Sequence, residues 1–282
     1  MAPNHHQFTS VFDSSQSFGK LNLSQRFLLR SGLSIKDPFR LIKAIRNWYD
    51  IPLFMLGLKR QVIAELRKGP RFEFIPGLFK IEMFLDEPYS RLDVHNRVVV
   101  DIGALNGDSA IYFSIRGARR VVAFEPYPFA AKVAERNVRL NGIPNIEVRN
   151  EAIGQQEGHI RVDSGMTDAS SKVGPSEQGS LIPVHTLQNV TVTLSLQNAA
   201  LKMDCEGCEY GALANTSDEV LLKFDEIMLE FHNGLRDLSE RLLRIGFDVE
   251  ILKPNGNVST GPPEKMGLIY AWRRKSSGAG YS

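Results

Sequence analysis

The sequence predicts an α/β fold, a mostly parallel sheet covered by helices on both faces. Three observations predict it. Between Val98 and Pro126 the chain reads as a buried strand, a small-residue turn, a helix and a second strand ending in an acid. From Arg97 onward, short apolar runs alternate with helical patterns, the grain of β-α-β units. The expected strand ends also carry polar groups: Asp101, Glu125, Asn150 with Glu151, Asp204, and Glu230 to His232. In open parallel sheets ligands bind beyond the carboxyl ends of the strands. Five such ends in register point to a ligand crevice rather than to packing.

Composition sets the bounds. The 282 residues allow one large or two small domains, and 43% hydrophobic residues can bury a core. A net charge of +2 gives no overall attraction to nucleic acid. The charge is uneven: residues 20–71 are rich in Lys and Arg against only Asp37, Asp50 and Glu65. Cys205 and Cys208 are too few for a secreted disulfide scaffold. No charged-then-apolar leader is visible. The longest apolar run, Ile51 to Leu58, is far short of the roughly 18 residues that span a bilayer. The chain is expected to be soluble and cytoplasmic.

The elements follow in order. Residues 1–19 are polar and read as a flexible tail. Residues 20–78 read as an N-terminal helical extension. Phe39, Ile42 and Ile45, then Leu56, Val62, Ile63 and Leu66, recur at helical spacing, and Pro38 and Pro52 divide the run into two or three helices. Gly69-Pro70 ends the last one, and Phe72 to Gly77 reads as a short strand and turn. The extension suits a lid or platform with its basic face in water. The alternative is peripheral membrane contact through residues 36–71, where Trp48, Tyr49 and Phe54 sit among basic residues. The main domain is expected over 79–274. Its strands are Val98 to Ile102, Val121 to Glu125, Ile146 to Asn150, Ala200 to Asp204, Glu226 to His232, Phe247 to Leu252 and Leu268 to Arg273. The clearest helix runs from Pro128 to Asn141, where Asn141-Gly142 is a stop signal. Gly158 to Val192 reads as a hairpin excursion or a mobile loop, and 275–282 as a flexible tail.

The turn Asp101-Ile102-Gly103-Ala104-Leu105-Asn106-Gly107-Asp108 lets backbone approach a ligand, and Glu125 stands at the spacing of an acid that accepts ribose hydroxyls. The turn is not G-x-G-x-x-G. Ala104 and Leu105 fill the places where a dinucleotide fold wants a glycine to make room for pyrophosphate. This disfavours NAD and FAD and suits S-adenosylmethionine (SAM), a nucleoside without phosphates. Asp101 at the strand end likewise suits a cationic or hydroxyl-bearing ligand.

A second motif, Leu201-Lys202-Met203-Asp204-Cys205-Glu206-Gly207-Cys208-Glu209, is a strand ending in a charge, a turn and a helix start. Glu206 and Glu209 have a plain explanation as acids near a helix N-terminus. With Phe124-Glu125-Pro126 and Leu229-Glu230-Phe231-His232, these segments resemble the FkbM-type SAM-dependent methyltransferases. Members of that family show D-I-G-A-N-x-G-D, F-E-P, L-K-x-D-x-E-G-x-E and L-E-x-H in this order. The resemblance covers roughly Phe79 to Arg273. One departure is Leu105-Asn106 where the family has Asn followed by a small apolar residue, which would move a polar contact to the methionine part of SAM.

The resemblance implies a Rossmann-like seven-stranded sheet with its last strand antiparallel, and methyl transfer, usually to a hydroxyl oxygen. It implies cofactor contacts from Asp101, Gly103, Ala104, Gly107, Asp108, Glu125, Pro126, Glu151, Ala152 and Asp204. In that reading Gly103 and its neighbours pass under the methionine moiety, Glu125 takes the ribose, Glu151 and Ala152 border the adenine, and Asp204 lies near the sulfonium and the acceptor.

Methyl transfer to an alcohol needs alignment and a proton acceptor. His232 is the expected base, because its ordinary pKa lies near working pH; Asp204 and Glu206 complete the catalytic set. A second arrangement has Mg2+ held by Asp204, Glu206 and Glu230. Cys205 and Cys208 read as a redox pair, as half a zinc site completed by His185 or His232, or as two small buried residues flanking a glycine turn, the most ordinary account. Lys202 shares the parity of Asp204 and could pair with it. The expected function is O-methylation of a sugar, a glycan or a natural-product alcohol, with no specific nucleic-acid partner. An NAD-dependent oxidoreductase and a non-catalytic SAM-binding module are the alternatives.

Overall fold

The computed structural model describes residues 38–162, 179–235, 237–258 and 265–273. The tails expected at 1–19 and 275–282, the start of the extension, and 163–178 of the excursion lie outside the described residues.

The extension is only partly helical. Helix α1 is Pro38–Ala44 and α2 is Asp50–Met55; Pro38 opens the first and Pro52 sits in the first turn of the second, where its missing N–H costs nothing. Val62, Ile63 and Leu66 do not continue a helix. They belong to a hairpin of β1 (Ile63–Glu65) and β2 (Arg71–Glu73), paired antiparallel. Its burial has a period of two: Val62, Ala64 and Leu66 are buried, while Glu65 is exposed. β-branched side chains favour the extended backbone here, and Gly69 at φ 117° turns the chain back. Leu56, expected on the same apolar face, is 64% exposed.

The core sheet starts with β3 (Val98–Ile102), leading through α4 (Asp108–Ile115) to β4 (Arg120–Phe124), then through α5 (Pro128–Leu140) to β5 (Ile146–Arg149); α3 (Glu82–Leu85) precedes it. A small three-stranded sheet follows, made of β6 (Ala152–Ile153), β7 (Gly158–Val162) and β8 (Ser180–His185), so the expected excursion contains a hairpin. The chain returns by α6 (Leu187–Thr193) to β9 (Ala199–Met203). Helices α7 (Cys208–Ala214) and α8 (Asp218–Leu221) then lead to β10 (Phe224–Phe231), and α9 (Leu238–Arg244) leads to β11 (Asp248–Leu252) and β12 (Gly267–Trp272).

The seven strands lie in the order β11-β12-β10-β9-β3-β4-β5. Strands β3, β4, β5, β9 and β10 pair in parallel, and β12 runs antiparallel to both β10 and β11. This is the Rossmann-like α/β architecture that the sequence predicts. The central strands are apolar on both faces, as sheets covered on both sides require. Val99 and Val121 face a core shared with Ile45, Ile51, Phe72 and Phe74, so the extension closes one face of the sheet rather than forming a separate unit. Val100, Val122 and Leu201 face the helices of the other side. Among the described residues, no helix is long and apolar enough to cross a membrane.

Candidate active site

Strand β3 feeds β4 on one side, while β9 lies on its other side. The order of winding reverses between them, which opens a crevice at their carboxyl ends. Two loops meet there. After β3, Gly103 sits at φ 77°, and a Cβ on it would lie 1.8 Å from the Asp204 carbonyl oxygen. No other residue lets the two loops approach this closely. Leu105, at φ 46°, occupies the left-handed region that Asn tolerates better.

Below this crossing lies a buried charge pair. Register places Asp101 beside Lys202, and Lys202 Nζ is 3.1 Å from Asp101 Oδ1. The ammonium also donates to the carbonyls of Ile102 (3.1 Å) and Gly103 (2.8 Å), and Ser109 Oγ donates to Asp101 Oδ2 (2.6 Å). The partner of Lys202 is therefore Asp101 and not Asp204. Burial would lower the lysine pKa, but the acids around it, Asp101 first, outweigh burial and raise it.

Glu125, at the end of β4, is 3% exposed. Its carboxylate accepts the N–H groups of Leu105 (2.8 Å) and Tyr127 (2.9 Å). Burial outweighs these bonds and pushes its pKa up to about 7. Asp108 is raised by burial to about 7 in the same way, against the Ser109 N–H and Lys202. The sign of the consequence is fixed. Between the ordinary carboxyl range and pH 7 the folded chain binds more protons than the unfolded one, so stability falls as pH rises. The ligand-free chain should therefore melt at a higher temperature at pH 5.5 than at pH 7.5. A flat or rising melting temperature over that window would refute the buried, proton-binding state of these acids.

The loop after β9 carries the second group. Tyr89 Oη donates toward Asp204 Oδ2 (3.2 Å) and Glu230 Oε2 (3.4 Å). His232 Nε2 lies 3.7 Å from Asp204, 3.5 Å from Glu206 and 3.8 Å from Glu230, while Nδ1 is 3.4 Å from the fully buried Glu209. Burial would lower the imidazole pKa, but Glu209 and the other three acids outweigh it and raise it. Cys205 and Cys208 are joined by a disulfide that closes the turn holding Glu206 and Gly207. Of the three readings of this pair, the linked one agrees with the folded turn, which brings the two Cα atoms to 5.4 Å; the ordinary account of two unlinked residues and the half zinc site do not.

Both loops line one cavity of about 670 Å3, within the range of small-molecule sites. Its charged lining is Glu82, Asp108, Glu125, Asp204, Glu206 and Glu230 against Lys80 and Lys202. This donor set fits a nucleoside that carries a cationic sulfonium, and it would repel a pyrophosphate.

The family described as Methyltransferase FkbM domain matches residues 101–247, more than half of the chain. The chain belongs to the FkbM methyltransferase family. Membership sets aside the oxidoreductase alternative. No curated protein matches the sequence. Among solved structures, the FkbM methyltransferase of Methylobacillus flagellatus KT is 17% identical with a TM-score of 0.43, over 83% of this chain and 58% of that one. A SAM-dependent methyltransferase from Agrobacterium tumefaciens is 13% identical with a TM-score of 0.44, over 76% and 70%. The tRNA (uracil-54, C5)-methyltransferase of Pyrococcus abyssi, solved with S-adenosyl-L-homocysteine, is 16% identical with a TM-score of 0.45, over 76% and 44%. Likeness at this level carries no argument about the acceptor.

In this FkbM protein Gly103, Asp108, Glu125, Pro126, Ala152, Asp204 and Glu206 line the cavity. Asp101, Ala104, Gly107, Glu151 and His232 do not. Asp101 props the loop from below. Glu151 lies near Arg149 and His185, outside the crevice. The His232 side chain is 5% exposed and stands behind the acids. Asn106 does not reach the cavity either. It is buried, with Oδ1 accepting the Asp108 N–H and its carbonyl held by Asn137. The sequence reading missed Tyr89, Lys80 and Met83, which belong to the segment before β3 and carry no motif of their own.

Proposed function

We propose that this FkbM methyltransferase moves the methyl group of SAM to a hydroxyl oxygen of a small acceptor, a sugar, a glycan or a natural-product alcohol. One observation carries the reading: the cavity runs without a break from Gly103 and Glu125 to the carboxylates of Asp204, Glu206 and Glu230.

SAM, when bound, supplies an electrophilic methyl on a sulfonium. Glu125 has lone pairs left after its two backbone N–H bonds and receives the ribose hydroxyls; the Gly103 loop carries the methionine moiety. The acids on the far side accept a hydrogen bond from the acceptor hydroxyl and orient its oxygen. As the C–O bond forms and the C–S bond breaks, the hydroxyl proton passes to Asp204 or Glu206. The base thus moves from His232, which does not face the cavity, to acids that do. His232 becomes a positioning residue that pairs with them. The same acids disfavour an amine acceptor, since they hold it as an ammonium with no lone pair to attack.

The test is SAM titration calorimetry followed by methyl-transfer assays on an alcohol panel. Micromolar SAM binding and methyl ether formation are expected. Glu125→Ala should weaken SAM by about 1–3 kcal/mol, because charge-assisted ribose bonds are lost. Unchanged affinity would misplace the cofactor. Tight SAM binding without turnover on any alcohol would favour the non-catalytic module instead.

A further inference from the structure

We propose that Asp204, Glu230 and His232 form a binding site for one divalent transition-metal cation of the Mn2+ class, set in the cavity wall beside the cofactor cradle. The site stands on geometry alone; its use in catalysis rests on the hydroxyl-acceptor reading above.

The three residues come from neighbouring strand ends, since β9 and β10 pair in parallel up to Met203 and Leu229. One ligand atom from each lies within 4.8 Å of the others. His232 Nε2 stands 3.7 Å from Asp204 Oδ1 and 3.8 Å from Glu230 Oε1. Donors about 2.1 Å from a six-coordinate ion stand roughly 3.0 Å apart. The two carboxylates therefore need to approach His232 Nε2 by less than about 1 Å, and each other, from within 4.8 Å, by less than about 2 Å, within the reach of χ rotations. Glu206 Oε2, 3.5 Å from the same nitrogen, can serve as a fourth ligand.

A second observation concerns the far side of the imidazole. Glu209 is fully buried; one oxygen accepts the Gly207 N–H at 2.8 Å and the other lies 3.4 Å from His232 Nδ1. A buried carboxylate behind the far nitrogen of a histidine is the arrangement that orients metal-ligating imidazoles. It keeps the proton on Nδ1 and leaves the Nε2 lone pair for the ion. Among the described residues His232 is the one cation within ion-pair distance of four carboxylates, Asp204, Glu206, Glu209 and Glu230, because Lys202 is committed to Asp101.

The donor set also decides the ion. A nitrogen ligand disfavours Mg2+, which prefers oxygen, and favours Mn2+ and later metals. This replaces the all-oxygen magnesium site expected at Asp204, Glu206 and Glu230. A cation held there would lower the pKa of an acceptor hydroxyl and so ease loss of its proton to a neighbouring carboxylate.

The test titrates Mn2+ into the metal-stripped full-length chain and follows the free-ion signal by electron paramagnetic resonance. SAM calorimetry is run on every sample. One bound Mn2+ per chain is expected, weakened at least tenfold by His232→Ala and by Glu230→Gln. Glu209→Gln should cost about ten- to a hundredfold. Retained SAM binding in the variants shows that they are folded. A chain that binds SAM but not Mn2+ overturns the site, and so does Mn2+ binding that His232→Ala leaves intact. Mn2+ binding without SAM binding would keep the metal site and overturn the proposed function instead.

Discussion

Replacing Lys202 by methionine should destabilise the chain by about 3–5 kcal/mol, because it leaves the Asp101 carboxylate buried without its cation. Asp101 is 0% exposed and Lys202 2%, so water cannot take over the lost contact. The substitution also leaves the Ile102 and Gly103 carbonyls without the ammonium that now holds them. Urea unfolding reads the loss directly. The decisive comparison is the double variant Lys202→Met with Asp101→Leu. Buried ion pairs can be replaced by apolar residues of similar size at little cost, so the double variant should recover most of the single variant's loss. A single variant within about 1 kcal/mol of the parent, or a double variant no better than the single, would show that the pair does not anchor the loop.

The second large effect is at Gly103. Gly103→Ala should cost about 2–5 kcal/mol, the sum of left-handed strain and overpacking, and should abolish SAM binding at micromolar concentration. The reason is steric and specific: the added methyl would meet the Asp204 carbonyl oxygen at 1.8 Å, and backbone must move. That movement parts the cofactor loop from the loop bearing the acids. Thermal melting and SAM calorimetry together separate the two consequences. A variant that melts like the parent and binds SAM normally would mean that the loops do not cross at this distance.

Much of the fold was legible because burial imposes plain patterns. The β3 run Val98-Val99-Val100 is apolar on both faces, and α5 carries Ala130, Val133, Ala134 and Val138 on a single buried stripe that ends at Asn141-Gly142. The hairpin β1-β2 was only half legible: the strand at Phe72 was expected, the one at Ile63 was not. Over five residues, Val62, Ala64 and Leu66 satisfy a period of two, while Val62, Ile63 and Leu66 also satisfy a helical spacing. Only packing on Phe72 and the sheet decides between them.

The candidate site divides in the same way. The types of its acids and their places at strand ends were readable, because ligands gather at the carboxyl ends of parallel strands. Their mutual arrangement was not. Lys202 meets Asp101 because β9 lies beside β3 in register, across about a hundred residues of chain. Tyr89 reaches Asp204 and Glu230 from a segment with no motif, and His232 turns inward toward Glu209 rather than into the cavity. The sequence by itself determined the sheet, the cofactor turn, and the acids that would end its strands, since those depend on local pattern and backbone freedom. The tertiary structure alone decided which charges pair, whether the two cysteines join and which acids share the histidine, since electrostatic and covalent partners are set by distance in space rather than along the chain.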